Sequence, residues 1–179
     1  VVAGGKFTMG SPPEVLTQSA PEHVAYVDTF CLDRDEVTVA AYASCAKTGR
    51  CPSAPADSAC KLGGDDRPMT CVTHEEATAF CAARKMRLPT EAEWELATTK
   101  EGIRDLTSGA AEWVADRFAP YAPDAQVNTR GPASGGLRVV RGGGLATKVA
   151  PALVARAREG AAPGTRADGL GFRCAAALE

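Results

Sequence analysis

Seven cysteines, at positions 31, 45, 51, 60, 71, 81 and 174, constrain this chain more than any other feature of its sequence. Sulfur-based metal centres use short paired spacings such as C-x2-C, often with histidine. No such pair occurs here, and the two histidines, His23 and His74, lie far apart. Disulfides formed in an oxidising compartment are the better reading. Seven is odd, so at least one thiol is free, bonded to another chain, or a ligand. A stretch rich in Pro, Gly and Asp, "RCPSAPADSACKLGGDDRPM" from Arg50, holds two of the cysteines. So long a loop is entropically costly to leave unpinned, which favours cross-links there. The chain has no N-x-S/T sequon, as expected of a bacterial exported protein.

The 179 residues suffice for one domain over 1–179 with a real core. Net charge is −2 and the basic residues are dispersed, so phosphate-backbone binding is not expected and nucleic acid is excluded as a partner. No apolar run approaches the ~20 residues of a membrane helix. The chain begins at Val1 rather than Met, pointing to a processed or excised domain whose leader or anchor lies outside it.

Periodicity predicts the elements. "GGKFTMGS" reads as a short strand with Phe7 and Met9 alternating, and "HVAYVDTFCLDRDEV" as one or two strands carrying Val24, Tyr26, Phe30 and Leu32. The period then changes. Thr38 caps a first helix with Val39, Tyr42 and Cys45 at helical spacing, and Gly49 closes it. Thr73 and Glu76 form a T-x-x-E capping box for a second helix, with Ala77, Phe80 and Cys81 on one face. Thr90 and Glu93 repeat the box in "RLPTEAEWELA", where Glu91 suits the helix dipole and Trp94 and Ala97 face inward. His74, opening the second helix, is expected at the surface. Beyond residue 104 the chain reads as short strands and turns, including "LRVVRGGG" and "ALVARAR". Helices in the first half and strands in the second predict an α+β class.

In order and wording, "GGKFTMGS", "FCLDRDEVTVAAYASC", "CVTHEEATAFC", "RLPTEAEWELA", "EWVADRF", "RVVRGGG" and "GLGFRCA" resemble the sulfatase-modifying-factor family, whose best-known members are formylglycine-generating enzymes. The resemblance runs from Gly4 to Ala175. It implies an irregular, loop-rich C-type-lectin-like α+β fold with few helices and short antiparallel strands. It also implies that Cys81, ending the second helix, bonds Cys174 of the terminal "GFRC". Cys45, Cys51, Cys60 and Cys71 are then left for two local bridges of open connectivity, with Cys31 as the odd thiol.

The family's oxidases hold copper with two cysteines that follow the "RGGS" strand, because thiolate suits soft Cu(I). Aligned on the glycines, those positions fall near Thr147 and Ala152, and no cysteine occurs between Cys81 and Cys174. No cofactor is therefore expected, copper least of all. The calcium turn that members write "GNxxEW" reads "SGAAEW", leaving Ser108, Ala110 and Glu112 as calcium candidates against a structural role for Glu112 as an ordering glutamate. The segment before this turn, "LATTKEGIRDLT", is also shorter than in the enzymes.

Arg141, Arg156, Arg158 and Arg173 recur among the late strands and are expected to pair with Glu91, Glu95, Glu112 or Asp116. The functional alternative makes Glu112, Arg156 and Arg158 acid/base or anion-binding groups, since a copper-free member of the family acts in siderophore maturation. A hypervariable ligand-binding protein diversified by retroelements would share the fold. Adenine-directed mutation would enrich its C-terminal face in Asn, Tyr and Ser, whereas this chain has one asparagine, Asn128, and residues 145–161 are mostly Ala, Val and Arg. The leading expectation is a noncatalytic, extracytoplasmic module that binds a protein, peptide or glycan through loops around 115–165. An enzyme, either a divergent formylglycine-generating oxidase or a copper-free catalyst, is the alternative.

Overall fold

The computed structural model describes residues 1–53, 60, 62–142, 150 and 153–178. Among the described residues, three small sheets surround three α-helices, with one 3-10 turn at Thr17–Ser19. Strand β1 (Gly5–Met9) pairs antiparallel with β2 (His23–Val27), from Gly5↔Val27 to Met9↔His23, and β5 (Gln126–Val127) joins β2 in parallel. Strand β3 (Phe30–Leu32) pairs with β9 (Ala175–Ala177), and Val2 bridges Phe30. The third sheet runs β7 (Arg158–Ala161), β6 (Arg138–Arg141), β4 (Ala111–Arg117), β8 (Leu170–Gly171), with β8 parallel to β4. Short parallel pairings thus supplement the antiparallel ones.

Local sequence accounts for all three helices. In α1 (Val39–Lys47) the Thr38 hydroxyl accepts the Ala41 N–H, Tyr42 and Cys45 are buried, and Gly49 lies just beyond the helix at φ +69°. Helix α2 (His74–Ala83) carries the complete Thr73/Glu76 capping box and buries Ala77, Phe80 and Cys81. Helix α3 (Glu91–Ala97) carries the Thr90/Glu93 box. All seven of its residues are buried, because β1, β2, β4 and β6 pack around it. A seven-residue helix is too short to stand alone, so tertiary packing holds it. Among the described residues no helix is long and apolar enough to cross a membrane.

Three disulfides tie these layers together: Cys45–Cys51 at the end of α1, Cys60–Cys71 across the Pro/Gly/Asp loop, and Cys81–Cys174 from α2 to the segment before β9. Cys31, in β3, is the free thiol. One apolar core gathers Tyr42, Phe80, Trp113 and Phe172 around the Cys81–Cys174 bond. A second gathers Met9, Val27, Phe30, Trp94 and Val139.

Strands β1 to β3 fall ahead of the first helix, where periodicity placed them. Three local expectations are corrected. In β2 the inward residues are His23, Ala25 and Val27, while Val24 and Tyr26 point outward. "ALVARAR" is largely turn, and its strand starts only at Arg158. His74 is buried. Its Nε2–H donates to the Val114 carbonyl at 3.0 Å, and its ring meets Trp113 edge-on. Burial, reinforced by the nearby Arg138 cation, pushes its pKa down to about 4.

Candidate functional site

Helix α3 turns its three glutamates into the interior, and each is answered there. Glu93 pairs with Arg87 through two bonds of 2.6 Å. Glu95 accepts Arg141 at 2.6 Å and the Gly10 N–H at 2.9 Å. Glu91 is a hub. Arg158 grips both its oxygens at 2.7 and 2.8 Å, and Arg141 and the Tyr121 hydroxyl bond Oε1 at 3.0 and 2.8 Å. Burial opposes the charge on Glu91, but the two guanidiniums outweigh it and hold the carboxyl below its usual pKa. Glu91 therefore does more than complement a helix dipole. The Arg158 guanidinium lies 4.0 Å over the Tyr121 ring and 4.5 Å over Phe118.

Beside this hub opens a cavity of about 250 Å³, bounded by Met9 and His23 on one side and by residues between Asp116 and Pro132 on the other, with Glu91 and Arg158 in its lining. Asp116, near the end of β4, is 2% exposed. Its Oδ2 accepts the Glu91 N–H at 2.8 Å. Its Oδ1 has no hydrogen-bond partner among the described residues, yet it is not sealed inside the protein as Tyr42 Oη and Arg141 Nε are. Burial, and next the Glu91 charge, push its pKa up to about 7. His23 packs on Tyr121 with ring centroids 4.7 Å apart, and its Nδ1 faces the Pro21 carbonyl at 3.1 Å. A carbonyl can only accept, so Nδ1 donates to it, which leaves Nε2 as the acceptor in the neutral ring.

The residues singled out by sequence fall in several places. Arg158 lines the cavity. Arg156 lies apart from it, on the surface, paired with Glu22 at 2.8 Å. Glu112 is wholly enclosed: Arg173 takes both its oxygens, and Trp94 Nε1–H donates to Oε2 at 2.9 Å. The Ser108 hydroxyl bonds Asp105 Oδ1 at 3.1 Å, and the Ala110 N–H bonds Glu36 Oε1 at 2.8 Å. Glu36 stands where the family's asparagine would project, because a Cβ on Gly109 would lie 2.8 Å from its carboxylate. A cation at this turn would have to displace Arg173 from Glu112. Thr147 and Ala152 lie outside the described residues. A hydroxyl and a methyl do not supply the thiolates that soft copper needs. Among the described residues the one close trio of ligand-type atoms is Cys60, Cys71 and Asp168, and two of those sulfurs are joined to each other.

Sequence reasoning missed His23 and Tyr121 and took Asp116 for an arginine's partner. The available signal was Asp116 itself, a carboxylate inside "EWVADRF" where the positions two residues to either side, Val114 and Phe118, are apolar.

Short strands around a few helices, long connections and disulfide staples define a C-type-lectin-like α+β fold of the formylglycine-generating enzyme type. The chain belongs to the family of sulfatase-modifying factor enzyme 1-like domains, which matches residues 1–102 and 98–178. Among solved structures it is similar to Treponema denticola variable protein 1, with a TM-score of 0.77 at 21% identity over 99% of this chain and 94% of that one. It is also similar to PvdO from Pseudomonas aeruginosa (TM-score 0.71, 21% identity, 98% of this chain and 92% of that one). CarF gives a TM-score of 0.67 at 15% identity, over 99% of this chain and 97% of that one. At such identities the likeness concerns the fold. No curated protein sequence matches the chain.

Proposed function

We propose that this chain is a noncatalytic binding module of its family, working outside the cytoplasm, and that it holds a protein, peptide or glycan in the cavity beside Asp116. The observation that carries this reading is the cavity itself. It lies against loops in the 115–165 range and exposes an unpartnered buried carboxylate, while the family's sulfur chemistry has no thiol pair to work with. The three disulfides support an oxidising location. The reading requires no cofactor.

The test is retention on peptide and glycan arrays by the wild-type chain and by Ala122→Trp, which fills the exposed rim of the cavity. Retention by the wild type and its loss in the variant are expected. Equal retention by both overturns the assignment of the cavity.

One observation favours a second reading, a copper-free catalyst. Asp116, with a pKa near 7 at a cavity wall, is suited to hold or release a proton at neutral pH. Turnover of a bound ligand that disappears in Asp116→Asn would establish it. Stoichiometric Cu(I) uptake with oxidation of a cysteine peptide would instead establish a divergent formylglycine-generating oxidase.

A further inference from the structure

The polar groups around the cavity are unevenly matched. Behind its wall sit three carboxylates, Glu91, Glu95 and Asp116, against two guanidiniums, Arg141 and Arg158, and the hydrogen bonds of both guanidiniums to carboxylates go to Glu91 and Glu95. Among the described residues Asp116 forms no ion pair, although Arg87, Arg138 and Arg158 lie near enough to favour its charged form. Several of the cavity's donors are already engaged: the Tyr121 hydroxyl on Glu91, one Gln126 amide N–H on the Asp124 carbonyl, Arg158 on Glu91 and the Ala119 carbonyl, and one Arg117 N–H on the Gly135 carbonyl. Asp116, His23 and Gln126, all in the lining, carry acceptors: the unbonded Asp116 Oδ1, the Gln126 side-chain oxygen and, in the neutral ring, His23 Nε2. An anionic ligand would meet Arg117 but also the Asp116 carboxylate, whereas a ligand bearing positive charge would give that carboxylate the ion pair it lacks.

We propose that the cavity takes a primary ammonium group, such as a lysine side chain or an amino sugar provides, with Asp116 as its counterion. This rests on the reading of the cavity as a ligand site. Ammonium fits better than guanidinium because only one Asp116 oxygen is available. The Glu91 N–H holds the other, so a two-pronged arginine fork has nothing to close on. Rotatable donors on a point charge can satisfy a single carboxylate oxygen without needing its twin. The charged groups facing Asp116 agree with this. Glu91 and Glu93 on α3 repel its negative charge, and Arg158 on β7, Arg138 on β6 and Arg87 ahead of α3 offset them incompletely. An incoming cation restores the balance and draws the Asp116 proton off. Arg117, anchored by the Gly135 carbonyl at 2.5 Å, is the lining cation that opposes the ligand.

The experiment titrates the whole chain with n-butylammonium, Nα-acetyl-lysine amide, glucosamine, 1-pentanol and butyrate. It follows the backbone amides of Thr129 and Gly131 by NMR at pH 6 and pH 8. Saturable shifts with n-butylammonium, absent with 1-pentanol and butyrate and tighter at pH 8, are expected. The lysine amide and glucosamine arms tell the two sources of ammonium apart. Asp116→Asn should weaken n-butylammonium about tenfold or more, as loss of a charge-assisted partner does. Arg117→Gln should tighten it roughly two- to fivefold. Tight butyrate binding that weakens in Arg117→Gln overturns the ammonium assignment and leaves the binding module standing. Silence of both amides to every probe, with array retention unchanged in Ala122→Trp, overturns both. If Asp116→Asn fails to fold, the opposite responses of ammonium and butyrate to Arg117→Gln still decide.

Discussion

Arg173 and Glu112 lie against each other with neither side chain reaching solvent, and the guanidinium contacts both carboxylate oxygens at 2.6 to 3.0 Å. The remaining Arg173 donors reach the Arg34 and Arg104 carbonyls, so this pair binds the C-terminal segment to two distant loops. Removing one partner of such a pair strands a buried charge. Glu112→Ala should therefore lower the unfolding free energy in urea by about 3–5 kcal/mol, and Glu112→Leu with Arg173→Met should lose less than the two single changes summed. A loss below about 1 kcal/mol for Glu112→Ala would show that water reaches the pair.

The cysteine pattern makes a direct prediction. Alkylation of the unreduced chain followed by mass spectrometry should label one residue, Cys31. Three or more labelled thiols would refute the pairing. Replacing Cys81 and Cys174 by serine opens a loop with a sequence separation of 93 and should cost about 2–5 kcal/mol in denaturant.

Glu36 sets a pH dependence. Burial, and next the nearby Glu112 charge, raise its pKa from 4.5 to about 7 in the folded state. A raised carboxyl contributes stability that is complete below about pH 4.5 and lost as the pH rises through about 7. Glu36→Gln keeps an acceptor for the Ala110 N–H without the charge. It should match wild type at pH 4 and exceed it by about 1–3 kcal/mol at pH 8. His74 acts in the opposite sense, since its lowered pKa contributes stability above pH 6.5 that is lost as the pH falls through about 4. The comparison at fixed pH cancels that contribution. A variant no more stable than wild type at pH 8 contradicts the burial of an ionised Glu36.

Gly109 is held small by its neighbours. A Cβ there would lie 2.8 Å from both the Asp105 carbonyl and the Glu36 carboxylate. Gly109→Asn, which restores the family's usual residue, should destabilise the chain by about 1–3 kcal/mol. Adding Glu36→Ala should recover only part of the loss, because the Asp105 carbonyl stays in place. Thermal melts of the two variants and the double decide it.

How legible this was depended on the range of each interaction. The Thr73/Glu76 and Thr90/Glu93 boxes span three residues and could be read directly. That Arg141, Arg158 and Arg173 would meet glutamates among Glu91, Glu95 and Glu112 followed from residue chemistry in a family context, but which arginine meets which glutamate did not. The phase of β2 was misread because Val24 and Tyr26 outrank His23 and Ala25 in hydrophobicity. Ala25 is nonetheless fully buried, and His23 is buried with its ring against Tyr121. The cavity was beyond reach, since it joins β2, the end of β4 and the 117–132 segment, and no periodicity relates His23 to Asp116.

The Glu91 hub also has a kinetic meaning. Its partners Tyr121, Arg141 and Arg158 lie 30, 50 and 67 residues away along the chain. None can reach it until long loops have closed, and the short helix that carries Glu91 has little persistence before they do. Its carboxylate should therefore lock late, and substitutions at Glu91 should speed unfolding far more than they slow refolding. The cavity wall is then among the last parts of the protein to mature and among the first to open.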